Sequence, residues 1–421
     1  GRGAAGADDV LRELDFYRLR PHLAARRPRV EPGVPMKLDE RRWVLAGGLD
    51  GEWAAVGRAR LQDADRRLAA ALAGLKRSGP ASARARGYER GLSALRRKSP
   101  GRDRVMSHPA FDHWLSLWDR HFALPIGEED WHLHFGLAQG FAAAAAALAK
   151  TPAVLPATAD PDGRFHLYGT PFYLEGLPPH ARFKLTVKGG VPSAPGAAVM
   201  RLPEVVSGVC VDDKGWLLVH GVVMHGLARL DAPATEAFAA SLRAALSDMA
   251  ERDPALHAEL TDMIVALVPL LNPQGHGSVS STYADLKGAI CLSHSDDALL
   301  QAETLIHEFC HQKMNQLLIA DTVLLPGQGG QVFYSPWRAD ARRLRGLLLG
   351  AHAFLNVARY LARSLAREDY PPERRTEVMA NVARRVEQVE TALRTLAAHA
   401  SFTEFGRRFE LAMWREIGLL R

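Results

Sequence analysis

The spacing of apolar and polar residues changes along the chain and predicts where helices and strands lie. Helical spacing over Arg60–Leu75 and Phe111–Phe122, and the alanine-rich run Phe135–Lys150, predicts a helical N-terminal region over residues 1–155. Proline and glycine are frequent at 152–163, which predicts a connection there. The second region therefore begins at about residue 156.

Residues 156–270 carry short segments rich in β-branched and aromatic residues, separated by turn signals. They are Arg164–Tyr168, Phe183–Lys188, Ala198–Leu202, Val205–Val211 and Trp216–Val223. Helical patterns follow at about 232–250 and 254–270. This region is therefore predicted to hold a mostly antiparallel sheet followed by helices, and the fold class is α+β.

The third region, 271–421, is again mostly helical. Neither glycine nor proline interrupts 299–320, and its apolar residues recur so as to bury one side of a helix. The run Gly288–Ser293 directly before it predicts a strand beside that helix. Such a strand could lie at a sheet edge and hold an extended peptide through main-chain hydrogen bonds, or it could be a buried core strand.

The segment His307-Glu308-Phe309-Cys310-His311 carries the clearest chemistry in this third region. Two histidines four apart on a helix project from one face, so both imidazoles can reach a single metal ion. Glu308 is free to act as a base or to orient a ligand, and Cys310 is interpreted as a packing residue. The motif predicts a metal site.

A functional metal usually has a third protein ligand, with further positions open to water or substrate. The downstream candidates are His352, Glu368, Glu373, Glu377 and His399. His352 lies in an apolar segment beside Gly350, Ala351 and Ala353, and such small residues would allow close approach to the metal helix. We therefore predict His352 as the third ligand.

A polar and aromatic segment, Gln331–Arg343, lies between the two predicted metal helices. Arginine offers a planar fork that matches a carboxylate, and Tyr334 and Trp337 could wall a flat ligand. We interpret the segment as a carboxylate pocket, the alternative being a surface loop.

The composition of the 421 residues, 47% hydrophobic and 24% charged, is that of an ordinary globular enzyme. No apolar run approaches a membrane span, and the start lacks a signal-peptide pattern. Three scattered cysteines cannot form a disulfide framework, which favours a reducing cytoplasm. The stretch from Arg58 to Arg104 holds fourteen basic and four acidic residues, but no nucleic-acid motif accompanies it. We therefore expect neither a nucleic-acid nor a membrane partner.

The block from about 276 to 360 resembles the HExxH-motif proteins encoded beside ribosomally made, modified peptides, the 2-oxoglutarate-dependent HExxH-type peptide β-hydroxylases. The matching elements are Gly277-Ser278-Val279-Ser280-Ser281, Gly288-Ala289-Ile290, Leu305–His311, Tyr334–Asp340 and Gly346–Phe354. They cover roughly a fifth of the chain, and a weaker likeness lies at Phe111–Leu115.

The resemblance implies iron(II), 2-oxoglutarate and dioxygen, with a precursor peptide as substrate. His307, His311 and His352 would be the metal ligands. Arg338, with Arg342 as second candidate, would pair with the distal carboxylate of 2-oxoglutarate beside Tyr334 and Trp337. Glu308 would support the ligands or coordinate conditionally, and coordination by Glu308 would weaken the assignment of His352.

Two other functions stay open. In a zinc metallopeptidase, Glu308 would activate a zinc-bound water and the strand at 288–293 would hold the scissile peptide. The usual third-ligand signature is missing, because Leu317 stands six residues beyond His311 and no Asn-Glu pattern follows. A non-catalytic peptide-binding subunit is the third reading. The pattern leaves homo-oligomer formation and the need for a leader segment open.

Overall fold

The chain folds into helices and several small sheets, which confirms the predicted α+β class. The computed structural model describes residues 40–45, 48, 53–78, 83–121, 128–219, 226–275, 277–320, 323–325, 327–328, 330–366 and 370–421. The predicted N-terminal helical region therefore lies partly outside the described residues, from 1 to 39. The division into three regions stays a prediction.

Helices form most of the first third of the described chain. They are α1 (Glu40–Val44), α2 (Trp53–Ser78), α3 (Ala83–Ala94), α4 (Arg102–Met106), α5 (Pro109–His121) and α6 (Glu128–Leu148). Helices α2, α5 and α6 confirm the three helical patterns. Fully buried aromatic rings join α5 to α6, with the Phe111 and Phe141 ring centroids 4.9 Å apart. Aromatic packing of this kind fixes how the two helices meet.

Short strands follow and form two antiparallel sheets, one larger mixed sheet and a hairpin. They are β1 (Ala153–Thr158), β2 (Phe165–His166), β3 (Phe172–Glu175), β4 (Arg182–Lys188), β5 (Val191–Ser193), β6 (Ala198–Arg201), β7 (Glu204–Val206), β8 (Val209–Val211), β9 (Ala266–Leu270), β10 (Ser280–Ser281), β11 (Ala289–Ser293), β12 (Val332–Phe333) and β13 (Arg342–Arg343). The spatial orders are β1-β4-β5, β2-β3-β6, β10-β11-β9-β8-β7 and β12-β13. Strands β8, β9 and β11 run parallel to one another, and the other pairings are antiparallel.

The remaining helices pack beside the five-stranded sheet and against one another. They are α7 (Trp216–Val219), α8 (Ala232–Arg252), α9 (Pro254–Met263), α10 (Ala298–Ala320), α11 (Leu344–Leu365), α12 (Pro372–His399) and α13 (Glu404–Leu419). Helix α10 carries the His-Glu-x-x-His motif and packs on α8 and α11, while α11 packs closely on α12. Among the described residues, no helix has the length and apolar character needed to cross a bilayer.

The predicted strand at Trp216–Val223 is wrong over the residues that the structure describes. Residues 216–219 form helix α7, and 220–225 lie outside the described residues. The Asp212 carboxylate accepts hydrogen bonds from the backbone N–H groups of Lys214 and Gly215, which turns the chain into the helix. A turn held by one aspartate directly before the apolar run thus outweighs the strand preference of that run.

The predicted helix at 254–270 is wrong over its second half. Helix α9 ends at Met263, and Ala266–Leu270 is β9, the fully buried central strand of the five-stranded sheet. A short, continuous apolar run has the same pattern in a buried strand and in a buried helix. The sheet neighbours β8 and β11 decide the outcome here.

Two further strand boundaries differ from the prediction. The predicted connection at 152–163 contains β1, where Pro156 is tolerated because β1 lies at a sheet edge. The predicted strand Val205–Val211 is two strands, β7 and β8, which are joined at Gly208 with φ of 87°. That left-handed conformation is easily reached only by glycine, so the chain reverses there.

Candidate metal centre

Helix α10 presents one half-buried stripe formed by Glu303, His307 and His311. These residues are four apart and so stand above one another on a single helical face. The positions between them are mostly buried, including Cys310, which is fully buried and confirms its interpretation as a packing residue. The two histidines are therefore the part of α10 that a ligand can reach.

The two imidazoles meet at their Nε2 atoms, which lie 3.0 Å apart. Together with a Glu308 carboxylate oxygen, these atoms lie within 4.8 Å of one another, which is the spacing of donors around one metal ion. Burial lowers the pKa of both histidines, and the neighbouring His311 and Arg385 lower that of His307 further. Neutral imidazole is the form that binds metal.

A second stripe of α10, formed by Thr304, Glu308 and Gln312, faces the segment from 278 to 289. The Thr304 hydroxyl lies 2.9 Å from the hydroxyl of Ser278. The Gln312 amide donates to the carbonyl oxygens of Leu286 and Ala289 at 2.9 and 2.7 Å. Helix α10 is thus fixed along one polar stripe while the adjacent histidine stripe stays accessible.

Glu308 is the centre of this polar stripe and is only 3% exposed. Ser280 Oγ donates to Glu308 Oε1 at 2.7 Å, and Thr282 Oγ1 donates to Oε2. A buried carboxylate needs such partners because its lone pairs have lost water. Hydroxyl donors on both oxygens hold the carboxylate in one orientation beside the histidines.

The predicted strand at 288–293 is confirmed as β11, but it does not lie at an edge. It pairs with β9 on one side and with β10 on the other, and all five of its residues are buried. The buried core strand is therefore the correct alternative. The edge of this sheet beside the metal helix is β10, which also carries Ser280.

The structure does not bring His352 to the other two histidines. Its Nε2 lies 3.1 Å from the carbonyl oxygen of Trp43, and its ring packs against Phe409. Neither ring nitrogen joins the group of ligand atoms around His307 and His311. His352 is completely buried and instead helps to hold helix α1 in place.

The other candidate third ligands also stand apart from the histidine pair. Glu373 and Glu377 are exposed near the start of α12, and the His399 ring packs on Phe333. Glu368 lies outside the described residues. Glu308 is thus the carboxylate that the described chain brings within reach of both imidazoles.

The predicted carboxylate pocket is only partly assembled. Arg338 and Arg342 both pair with Asp340 at 2.8 Å, and the Arg338 side chain is 59% exposed. Tyr334 is also largely exposed, at 72%. Neither guanidinium is free to bind a ligand carboxylate, because both already pair with Asp340 of the same loop.

Trp337 is the member of that loop that reaches the site. Its ring packs at a tilt against Phe354 with centroids 5.3 Å apart, and the Phe354 centroid in turn lies 4.6 Å from that of the His307 ring. Gly350 makes this approach possible, because a Cβ there would lie 2.1 Å from the Trp337 ring. An aromatic wall therefore extends from the loop to the first histidine.

Sequence reasoning missed Arg385, on α12. Its guanidinium lies over the Phe354 ring, with Cζ 4.3 Å from the ring centroid. No motif surrounds Arg385, and only the packing of α11 on α12 brings it to the site. Ser280 belongs to the segment Gly277–Ser281 that carries part of the resemblance, and Thr282 follows that segment directly. The contacts of both hydroxyls with Glu308 have no separate sequence signal.

Two neutral imidazoles and one buried carboxylate form a donor set suited to a divalent transition metal. Two histidines and a carboxylate on one face, with other positions open, are typical of non-haem iron(II) oxygenases, and zinc hydrolases use the same donor atoms. His307 and His311 are only half-buried, so part of each ring faces solvent. The residues present therefore fit a catalytic metal.

Loss of the hydroxyls that hold Glu308 is expected to weaken metal binding. In the double variant Ser280→Ala with Thr282→Val, iron(II) or cobalt(II) affinity should fall by roughly ten- to a hundredfold, since groups that orient ligands contribute that much. Titration calorimetry under anaerobic conditions measures it. Ser278→Ala is the matched control, because its hydroxyl meets Thr304, and an equal loss in both variants would contradict the prediction.

Compared with known proteins, the chain matches no protein-family model, and no curated protein matches it significantly.

Proposed function

We propose that this protein is an iron(II)- and 2-oxoglutarate-dependent oxygenase that β-hydroxylates a side chain of a ribosomally made precursor peptide. The observation that carries the proposal is the donor set of His307, His311 and Glu308, with both Glu308 oxygens held by hydroxyls. The sequence resemblance described above supplies the reaction class and the peptide substrate.

In this proposal Glu308, and not His352, completes the metal ligands. A carboxylate with a hydroxyl donor on each oxygen is held in one orientation, as a metal ligand requires. Bound iron would supply the redox chemistry that couples decarboxylation of 2-oxoglutarate to hydroxylation of a Cβ–H bond by dioxygen. The aromatic wall of Trp337 and Phe354 would keep water from one side of the bound cosubstrate.

The peptide is proposed to bind along β10. This strand is the sheet edge next to α10, and an extended chain can add to such an edge by main-chain hydrogen bonds. A side chain of that peptide would then face the open stripe of His307 and His311. The three cysteines are free and buried, which agrees with a proposed cytoplasmic location.

Mass spectrometry of the product tests the proposal. A precursor peptide from a neighbouring gene, incubated with enzyme, iron(II), 2-oxoglutarate and dioxygen, should gain the mass of one oxygen with its backbone intact, while succinate accumulates. Zinc should inhibit, because it takes the same ligands but has no accessible redox change. Omission of 2-oxoglutarate is the control, and oxygen incorporation without it would contradict the proposal.

A zinc metallopeptidase is the second candidate, favoured by the position of Glu308 within reach of both histidines. There Glu308 would take a proton from a metal-bound water, and Glu308→Gln would abolish turnover. Cleaved peptide in the presence of zinc, with no need for oxygen or 2-oxoglutarate, would establish this alternative.

A further inference from the structure

The Arg385 guanidinium, beside the candidate metal centre, has fewer hydrogen-bond partners than it has N–H groups. Its Nη1 donates to Gln388 Oε1 at 3.1 Å, but its buried Nε has no hydrogen-bond partner among the described residues. Gln388 in turn donates to the carbonyl oxygen of Pro336 at 2.9 Å. The guanidinium is thus held in place at one end, while its Nε–H lacks an acceptor among the described residues.

The carboxylate nearest to Arg385 is that of Glu303, one helical turn before His307. Arg385 Nη2 and Glu303 Oε2 are 3.9 Å apart, which is within ion-pair range but too long for a hydrogen bond. Both side chains are mostly buried, at 19% and 13% exposure. A buried ion pair without hydrogen bonds recovers little of the cost of removing both charges from water.

The position of Arg385 suits the far end of a diacid bound at the metal. Its guanidinium and the His307 ring both pack on the same ring, that of Phe354. Phe354 would offer an apolar surface to the carbons of a diacid that reaches from the metal ligands to Arg385. Arginine presents the planar fork that a carboxylate at the end would match.

We propose that Arg385 anchors the second carboxylate of 2-oxoglutarate, and that Glu303 occupies this anchor until the cosubstrate binds. This inference rests on the proposed function and replaces Arg338 and Arg342 as the anchor. Because Glu303 competes with the incoming carboxylate, the two residues should affect cosubstrate binding in opposite directions.

Calorimetry of the anaerobic iron(II)-loaded protein tests the inference with two ligands. 2-Oxoglutarate carries the second carboxylate, and 2-oxobutyrate has the same oxo-acid end without it. Arg385→Met should weaken 2-oxoglutarate binding at least about tenfold, as expected for loss of hydrogen bonds to a charged group. Arg385→Lys should give a smaller loss, because it keeps the charge but not the fork.

Glu303→Gln should tighten 2-oxoglutarate binding several-fold, and 2-oxobutyrate binding should be unchanged in all three variants. Arg384→Met, at the exposed neighbouring position on α12, is the control and should bind both ligands as the wild type does. If Arg385→Met does not fold, the other two variants still test the inference, because Arg385→Lys should weaken 2-oxoglutarate binding and Glu303→Gln should tighten it.

The possible failures are distinguishable. If the wild-type protein binds neither 2-oxo acid, the proposed function fails and this inference with it. If the wild type binds 2-oxoglutarate and the Arg385 variants bind it equally well, the anchor assignment alone is overturned. Weaker binding by Glu303→Gln would overturn the competing role of Glu303.

Discussion

Replacing His307 or His311 by alanine is expected to reduce iron(II) affinity by at least about a hundredfold, whereas His352→Ala should leave it nearly unchanged. The first two residues supply adjoining Nε2 atoms at the centre of the ligand group. Loss of a ligand should exceed the ten- to hundredfold effect of groups that merely orient ligands. Calorimetric titration with iron(II) under anaerobic conditions, or with cobalt(II), measures the three affinities.

His352→Ala should instead lower the free energy of unfolding of the metal-free protein, by about 1–3 kcal/mol, because it leaves the buried Trp43 carbonyl without its donor. Urea unfolding monitored by tryptophan fluorescence measures this loss. A large fall in metal affinity with unchanged metal-free stability would restore His352 as a ligand and would contradict the arrangement described above.

Lys313→Met is expected to cost about 3–5 kcal/mol of unfolding free energy, which is the effect of leaving one buried charge unpaired. Lys313 is completely buried and pairs with Glu259, itself 4% exposed, at 2.8 Å. Its Nζ also donates to the carbonyl oxygens of Arg42 and Leu45 at 3.1 and 2.5 Å. Methionine has a similar shape but provides none of these contacts.

Two comparisons make this measurement specific. The double variant Lys313→Met with Glu259→Gln should lose less stability than Lys313→Met alone, because no uncompensated carboxylate remains buried. Arg408→Met removes the exposed Arg408–Glu404 pair on α13 and should change stability by less than about 0.5 kcal/mol. Equal losses of unfolding free energy in Lys313→Met and Arg408→Met would show that the buried pair stabilises the protein no more than the exposed pair does.

The helical parts of the fold were predictable because their apolar residues repeat at helical spacing over many turns. The metal helix α10 is of this kind, whereas α6 was predicted from its run of alanines, the residue with the lowest helical cost. Strand β9 was not predictable, because five buried apolar residues fit a helix as well as a strand until the neighbouring strands are known. Helix α7 follows a turn that one aspartate holds, which is a local effect that an apolar run does not reveal.

The candidate site divides in the same way. The two histidines were predictable because both lie on one helix, where spacing alone fixes their relative position. His352 and Arg385 lie on other helices, and which of their faces meets α10 depends on how three helices pack. Arg338 is compatible with a carboxylate pocket by residue type, but Asp340, two residues away, binds it first.

Helix α1 has a consequence for the order in which this protein assembles. Lys313, His352 and Asn356 donate to the carbonyl oxygens at the end of α1 from positions 268 to 312 residues further along the chain. Contacts over such separations form slowly, because a long stretch of chain must be closed before they can contribute. During synthesis α1 must wait for partners that are made 268 to 312 residues later. The contacts on the buried side of the metal helix therefore form late. Chains that have not yet made these contacts should expose Lys313 and Trp43 to chaperones and proteases.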